Sequence, residues 1–333
     1  MRGRSTLEER VSAFLRSMAG AESIDEVIPT SQYQGRRRAD YLLEGRRVIV
    51  ELKTLKTDTA PKIDAVMDKH RDREDFPMFY GTSTTDKVLA RLPDGENINR
   101  RIYGAITRSV EDAIRSAEEQ IEETRKLLSL PNAVGVLVLL NESIDVLSPE
   151  VVGHRVAALM RRERTGRSSD PAIHFAWLLI ESHTTPIGPA LNAFPSILIK
   201  GTASDSFPWF VTIFDGIQEQ WARRNYSALF TKSVGSLADM KFHSGDHVKS
   251  PAPTHIKRQE LWEREYDTAR FLRNLSDEQL LEHGAKVFAE FAPYILKGGP
   301  KATRDDMECM GRAITCFIRE AGHYRALDIR KMP

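Results

Sequence analysis

The sequence contains little cysteine, no excess of either charge and no long apolar segment. Two cysteines exclude a disulfide-stabilised scaffold and a four-cysteine zinc site. Cys309 and Cys316 are expected to be buried on one helix face, two turns apart and beyond bridging distance. The 48 basic and 47 acidic residues nearly cancel, so composition alone gives no case for a nucleic-acid-binding protein. No segment reaches the roughly 18 apolar residues of a membrane span, which predicts a soluble, cytoplasmic protein.

The sequence pattern predicts three regions within a chain that is long enough to bury a sizeable core. Residues 1–165 are predicted to form a core with an irregular insertion at 54–107, residues 166–243 a β-containing extension of that core, and residues 244–333 a helical region. No internal repeat and no low-complexity segment is present in the sequence.

The core region alternates between the periodicities of helices and strands. Apolar residues at helical spacing predict helices over 6–19 and 108–129, and the continuous apolar run at 133–141 predicts a strand covered on both faces. A short strand from Ser23 and a hairpin complete the order α-β-β-β-α-β. The predicted fold class is therefore α/β (α+β), with a mixed central sheet flanked by helices and a helical C-terminal region.

Further elements are expected outside this order. A helix starts near Pro61 in the insertion, and another has Ser148 as its N-cap and Pro149 in its first position. The remaining expected strands are 173–182, 196–203 and 209–214, and the remaining expected helices are 256–275, 277–294 and 302–321.

The second strand of the hairpin carries two charges where apolar residues are expected. Strand side chains alternate between faces, so Val48, Val50 and Leu52 share the face that packs on helices. Glu51 and Lys53 share the opposite face. Because burying an unpaired charge is costly, these two residues need a chemical explanation.

The turn between the two hairpin strands decides which residue faces Glu51. A two-residue turn at Glu44 and Gly45 places Asp40 opposite Ile49, on the face of Glu51 and diagonal to it, with Cβ atoms roughly 7–8 Å apart. A three-residue turn moves Asp40 to the other face. The favoured short turn therefore predicts two carboxylates that converge on one cation.

These residues make a minimal set for phosphodiester hydrolysis. Asp40 and Glu51 offer the hard oxygen ligands that Mg²⁺ or Mn²⁺ prefers, and the main-chain carbonyl of Leu52 offers a third. Lys53 lies beside them, where it can orient or deprotonate the attacking water and stabilise charge developing on the phosphoryl group. The alternative is an ion pair between Asp40 and Lys53 on a solvated face, with Glu51 exposed.

The sequence Ala39-Asp40, followed ten residues later by Glu51-Leu52-Lys53, resembles the motif of the PD-(D/E)XK nuclease superfamily. The predicted element order resembles the restriction-endonuclease-like core of that superfamily over roughly residues 6–141. Ala39 stands where the name-giving proline would be, and the long insertion is a second departure. The resemblance implies a metal-dependent nuclease, more specifically a DNA endonuclease of the restriction, defence or repair type.

The resemblance also implies one further site residue on each flanking helix. Many members carry a glutamate on the first helix, where Glu8 borders the apolar stripe and Glu9 points almost opposite. Some members place a glutamine on the later helix, where Gln120 borders the apolar stripe. The alternatives are an acid favoured at a helix N-terminus and a plain boundary residue. The candidate catalytic residues are thus Asp40, Glu51, Lys53, Glu8 and Gln120.

Basic residues beside the motif are the candidates for nucleic-acid binding. Arg36, Arg37, Arg38 and Arg47 flank the proposed site, where a phosphate backbone would pass, and solvated surface charge is the alternative. The competing functional hypothesis is a catalytically inactive nuclease fold that binds nucleic acid or another protein. The C-terminal helices are expected to serve a homodimer or a protein partner, and no membrane partner is expected.

Overall fold

A computed structural model describes most of the chain, and its described residues are 5–28, 37–77, 83–162, 171–188, 191–225, 237, 240–244, 258–295 and 303–333. The chain forms two compact units. The first comprises Met1–Pro61 and Gly104–His247, and the second comprises Lys62–Tyr103 and Val248–Pro333. Most of the predicted insertion therefore groups with the C-terminal helices, and the predicted boundary at residue 165 falls inside the first unit.

The first unit contains all the described strands. In chain order they are β1 (Glu22–Ser23), β2 (Tyr41–Leu43), β3 (Val48–Thr54), β4 (Val134–Asn141), β5 (Phe175–Ile180), β6 (His183–Gly188), β7 (Leu191–Ala193), β8 (Ser196–Lys200) and β9 (His243–Ser244). A six-stranded sheet has the order β1-β2-β3-β4-β5-β8, and a small sheet has the order β7-β6-β9. In the large sheet β3, β4 and β5 run parallel and the other neighbours run antiparallel. The α/β class with a mixed sheet is thereby confirmed.

The helices lie in both units. In chain order they are α1 (Leu7–Arg16), α2 (Ile24–Val27), α3 (Ala60–Met67), α4 (Thr85–Leu89), α5 (Gly95–Leu127), α6 (Pro149–Met160), α7 (Pro208–Arg224), α8 (Arg258–Thr268), α9 (Asp277–Ile295) and α10 (Arg304–Ile318). The predicted N-cap of α6 is confirmed, since the Ser148 hydroxyl accepts a hydrogen bond from Val151 N–H. None of the helices described is long and apolar enough to cross a membrane.

Helices cover both faces of the large sheet. On one face α1 and α7 pack against alternate strand residues, with Phe14, Trp177 and Trp221 in mutual edge contact. On the opposite face α5 lies over β4, where the Ile121 side chain approaches Gly135 closely. Burial on both faces explains why β4 is an unbroken apolar run, because neither set of its alternating side chains meets water.

Three secondary-structure predictions are wrong. The strand predicted from Ser23 is limited to β1, and the residues that follow Ser23 form α2. Residues 209–214, predicted as a strand, form the beginning of α7, in which Pro208 occupies the first turn. Within the predicted irregular insertion, α4 is helical and α5 begins at Gly95 rather than at residue 108. A short apolar run fits either period, and for α7 the preceding proline and the helical spacing of Phe210 and Phe214 decide the outcome.

The second unit is helical, as predicted for the C-terminal region, and contains a buried carboxylate at its centre. Glu320 is 1% exposed and accepts hydrogen bonds from Tyr266, Arg270 and Arg325. Charge-assisted hydrogen bonds of this kind offset the cost of burying the ion. The two cysteines of this unit differ in burial, Cys316 being buried and Cys309 exposed, so the expectation that both are buried is wrong for Cys309.

Substituting Gly135 tests the close approach of the main chain to β4. A Cβ atom at this position would lie 1.9 Å from the Ala172 carbonyl oxygen, so Gly135→Ala should lower the free energy of unfolding by about 1–3 kcal/mol or more. Gly216 in α7 is the matched control, because a Cβ there meets nothing within 4 Å and alanine favours the helix by up to about 1 kcal/mol. Urea unfolding that leaves Gly135→Ala as stable as the wild type would contradict this packing.

The buried imidazole of His174 predicts a loss of stability in acid. Its Nδ1 accepts a hydrogen bond from Gly135 N–H at 2.9 Å, and burial together with the Arg125 charge lowers the pKa of His174 to about 4. Between about pH 6.5 and pH 4 the unfolded chain binds the extra proton, so stability falls as the pH falls through this range. Between pH 7 and pH 4.5, the free energy of unfolding measured in urea should fall by about 1–3 kcal/mol less for His174→Gln than for the wild type. Equal losses in both proteins would exclude His174 as the cause.

Candidate active site

The turn that joins β2 to β3 contains four residues. Leu43 pairs with Val48, so residues 44–47 form the turn and the predicted two-residue turn is wrong. The backbone φ values of its first three residues are positive, at 53°, 62° and 70°. The third of these, Arg46, forms a two-bond ion pair with Glu22 of β1 at 2.8 and 2.6 Å, which supports a conformation that is unfavourable for a non-glycine residue.

The even number of turn residues keeps Asp40 on the face of Glu51. Tyr41 pairs with Val50, and the ladder ends at this pair because Asp40 precedes β2. The Asp40 N–H also donates to the Val50 carbonyl, at 3.1 Å, one residue out of the register of the strand pair. The Asp40 carboxyl group, predicted as a diagonal neighbour of Glu51, lies close to it, since its Oδ2 accepts from Leu52 N–H at 2.8 Å and its negative charge raises the pKa of Glu51.

The carboxyl group of Glu51 is almost completely buried. Its side chain is 2% exposed, which excludes the alternative in which Glu51 faces solvent. One oxygen, Oε1, lies 2.6 Å from Lys53 Nζ, whereas Oε2 is buried and finds no hydrogen-bond partner among the described residues. Burial, followed by the nearby negative charge of Asp40, raises the pKa of Glu51 to about 8, and Lys53 opposes this rise only in part.

The Asp40 carboxyl group is half-buried and aimed at the end of the strand pair. Its Oδ2 accepts a hydrogen bond from Leu52 N–H at 2.8 Å. Burial raises the pKa of Asp40, against the opposing effects of the Leu52 N–H and the Lys53 charge. Because N–H and C=O of a strand residue face the same side, the Leu52 carbonyl is directed toward the same edge as Asp40.

Lys53 is held between Glu51 and a glutamine of α5. Its Nζ donates to Gln120 Oε1 at 2.6 Å, and the Ser116 hydroxyl donates to the same oxygen at 2.9 Å. The Gln120 amide in turn donates from Nε2 to the Arg38 carbonyl at 2.7 Å. Gln120 therefore contacts both the lysine and the segment that leads into Asp40, which is more than a boundary residue would do.

Glu8 lies apart from this group. It forms an ion pair with Lys56 at 2.8 Å, and this contact holds the pKa of Glu8 below its usual range. Glu8 and Lys56 border a cavity of about 690 Å³ beyond the carboxyl ends of β3 and β4, together with Thr54 and Glu142. Since α1 packs on the other sheet face, the structure joins Glu8 to this cavity and not to the neighbours of Glu51.

The candidate nucleic-acid-binding arginines have different surroundings. Arg36 lies outside the described residues. Arg37 is exposed and pairs with Glu119 of α5 at 3.0 Å, and Arg38 pairs with Asp25. The guanidinium of Arg47 stacks over Trp209 at 3.9 Å from the ring centroid. Because Trp209 belongs to α7, this contact directs Arg47 to the sheet face opposite Glu51.

The arrangement suits a hard cation and an anionic substrate. Two neighbouring carboxyl groups with raised pKa values share the single ammonium group of Lys53, and Glu51 Oε2 has no hydrogen-bond donor among the described residues, so a divalent ion would add compensating positive charge. Among the residues in the described ranges, no three His, Cys, Asp or Glu side chains form a metal-binding group. The oxygens present are therefore those of Asp40 and Glu51 with the Leu52 carbonyl.

Sequence reasoning missed two residues that contact this group, Ser116 and Thr124. The Thr124 hydroxyl accepts a hydrogen bond from Ala39 N–H at 2.9 Å, immediately before Asp40. Both lie four residues from Gln120 on α5, a spacing that places them on the same helix face. Their position one helical turn on either side of Gln120 is the signal in the sequence that identifies them.

Replacing Glu51 by glutamine tests whether the buried charge destabilises the fold. The pKa of about 8 in the folded protein exceeds the ordinary 4.5, so the wild type should lose stability as pH rises from about 4.5 to 8. Glu51→Gln has no charge to bury. In metal-free urea unfolding, its free energy of unfolding relative to that of the wild type should rise by about 1–3 kcal/mol between pH 5 and pH 8. Glu44→Gln, an exposed change in the turn, is the control. Identical pH slopes for wild type and Glu51→Gln would contradict the burial of this charge.

The chemistry of this group follows from the placement of its own residues. Two carboxyl groups and one ammonium group lie together where β2 begins beside β3, and Gln120 of α5 contacts the ammonium group. No family model matches the chain, and no curated protein or solved structure is significantly similar to it.

Proposed function

We propose that this chain is a Mg²⁺-dependent nuclease with a restriction-endonuclease-like core of the PD-(D/E)XK type. Its substrate in this proposal is nucleic acid, preferentially DNA, cleaved internally. The observation that supports it most is the proximity of the Asp40 and Glu51 carboxyl groups at the hairpin, with Lys53 paired to Glu51. A metal-binding carboxylate pair and an adjacent cation are together able to activate water and stabilise the negative charge that develops during hydrolysis of a phosphodiester.

The residues that would hold the metal are Asp40, Glu51 and the Leu52 carbonyl. Their oxygens fit Mg²⁺ or Mn²⁺, because both ions prefer carboxylate and carbonyl ligands. The buried Glu51 Oε2, which has no hydrogen-bond donor among the described residues, supports this assignment. When bound, the ion would polarise a phosphate oxygen and favour deprotonation of an attacking water.

Lys53 supplies the positive charge of the chain itself. Its ammonium has three N–H groups, of which Glu51 Oε1 and Gln120 Oε1 each receive one at 2.6 Å. The third is left for a phosphate oxygen or for the attacking water. Because Lys53 remains 24% exposed while Glu51 is buried, the ammonium group is the part of the pair that a substrate reaches.

The arginines before Asp40 extend the positive charge along the proposed substrate path. The exposed pair between Arg37 and Glu119 contributes little stability, so Arg37 can exchange this partner for a phosphate at small cost. Arg38 precedes the motif and is more enclosed. Arg47 is left out of the proposed substrate surface because it stacks on Trp209.

Cleavage assays test the proposal directly. Supercoiled plasmid, linear duplex, single-stranded DNA and RNA are incubated with wild type, Lys53→Ala, Asp40→Asn and Lys126→Ala in Mg²⁺, Mn²⁺ or EDTA. Wild type should cleave at least one substrate in a metal-dependent manner, and Lys53→Ala and Asp40→Asn should be slower by about 10²-fold or more. Lys126→Ala, which removes an exposed ammonium from the end of α5, should cleave as the wild type does.

The alternative outcomes distinguish the competing functions. Binding of nucleic acid without cleavage under any metal would contradict the enzyme and favour an inactive nuclease fold. Neither binding nor cleavage would favour a protein-interaction module. Cleavage that persists in Lys53→Ala and Asp40→Asn would place the active site elsewhere in the chain.

A further inference from the structure

Three polar side chains of α5 form a stripe that faces the hairpin. Ser116, Gln120 and Thr124 are spaced four residues apart and so lie on one side of the helix. The stripe borders the apolar side of α5 that carries Ile121. Gln120 and Thr124 hydrogen-bond to Lys53 and to the residues just before Asp40, and Ser116 hydrogen-bonds to Gln120. We call these three residues the α5 polar stripe.

Thr124 fixes the main chain immediately before Asp40. It is fully buried, its hydroxyl donates to the Gln120 carbonyl at 2.8 Å, and its oxygen accepts from Ala39 N–H at 2.9 Å. With its one proton committed to the helix carbonyl, the hydroxyl has a defined orientation and presents a lone pair to Ala39. Without this oxygen the buried N–H of Ala39 would lose its acceptor.

The main chain of Asp40 is held on both sides, by β3 and by the first residue of α2. Its N–H donates to Val50 and its carbonyl accepts from Ile24 N–H at 3.0 Å. The bond from Ala39 N–H to Thr124 ties the residue next to Asp40 to α5, one residue after the bond from Gln120 to the Arg38 carbonyl. Thr124 is therefore the α5 residue that holds the main chain nearest to Asp40.

Ser116 acts on Lys53 through Gln120. Its hydroxyl donates to Gln120 Oε1, the same oxygen that receives Lys53 Nζ. The other end of the amide is fixed because Nε2 donates to the Arg38 carbonyl. Ser116 therefore helps to orient the amide oxygen toward the lysine without touching the lysine itself.

We propose that Thr124 and Ser116 are positioning residues of the proposed nuclease site, Thr124 for the metal-binding carboxylate of Asp40 and Ser116 for the ammonium group of Lys53. This inference rests on the proposed function. Groups that orient metal ligands typically change metal affinity or activity 10- to 100-fold when they are removed, because catalytic geometry tolerates displacements of only about 0.5 Å. Loss of Thr124 should therefore weaken metal binding, whereas loss of Ser116 should lower kcat.

The Thr124 role is tested by metal binding in the absence of substrate. Isothermal titration with Mn²⁺ should show about 10- to 100-fold weaker binding for Thr124→Val, with recovery in Thr124→Ser, which keeps the hydroxyl. Thr107→Val is the matched control, because Thr107 is equally buried in α5 and lies 17 residues away, about 25 Å along the helix. Circular dichroism of each variant verifies the fold.

The Ser116 role is tested by steady-state cleavage kinetics. Ser116→Ala should lower kcat by about 3- to 10-fold, as expected for one weakened hydrogen bond to an orienting group. Its Mn²⁺ affinity should equal that of the wild type, since Ser116 does not act on the carboxylates. This variant also serves if Thr124→Val fails to fold, because Ser116 is only partly buried.

Each outcome bears on a separate claim. If wild type binds no Mn²⁺ and cleaves nothing, the proposed function fails and this inference fails with it. If wild type binds Mn²⁺ and cleaves, while Thr124→Val binds Mn²⁺ as tightly as wild type, only the Thr124 role is overturned. A Ser116→Ala variant with unchanged kcat, or with weakened Mn²⁺ binding, overturns the Ser116 role.

Discussion

Four residues between Leu43 and Val48 keep Asp40 on the side of Glu51, and the chemistry of this sheet edge depends on that register. An odd turn would send the Asp40 side chain to the face covered by α1 and α7. With the even turn, two carboxyl groups share one face and lie close enough for the negative charge of Asp40 to raise the pKa of Glu51. The proposed roles of Lys53 and of the oxygen atoms at this edge depend on this pairing.

Burial of the two neighbouring carboxyl groups lowers the free energy of unfolding. Glu51 is buried beside another carboxyl group, and one of its oxygens has no hydrogen-bond donor among the described residues. A hydrophobic side chain at this position would avoid the free-energy cost of burying these groups. Helix α5 compensates in part, because its polar stripe satisfies Ala39, Arg38 and Lys53 at the same place. A local cost that is offset by a dedicated set of neighbours is typical of functional sites.

Much of the site follows from the sequence because strand alternation depends only on parity. Any even turn puts Asp40 and Glu51 on one face, so the structure brings them together although the predicted turn length is wrong. The length itself depends on the left-handed conformation of Arg46, which a contact with Glu22 supports and local sequence does not encode. Likewise, the stacking of Arg47 on Trp209 required knowing that residues 209–214 are helical. The grouping of the insertion with the C-terminal helices depends on contacts between distant parts of the chain, such as Arg91 with Asp277.

Locating a bound metal ion is the most direct test of the pairing of Asp40 with Glu51. Crystals of the wild-type protein soaked in Mn²⁺ and measured for anomalous scattering should show one peak beside β3, within about 2.0–2.6 Å of carboxylate oxygens of both Asp40 and Glu51. A peak at that place which disappears in Asp40→Asn would agree with the central claim. Absence of any peak between these carboxylates at saturating Mn²⁺, or a peak confined to another part of the chain, would contradict it.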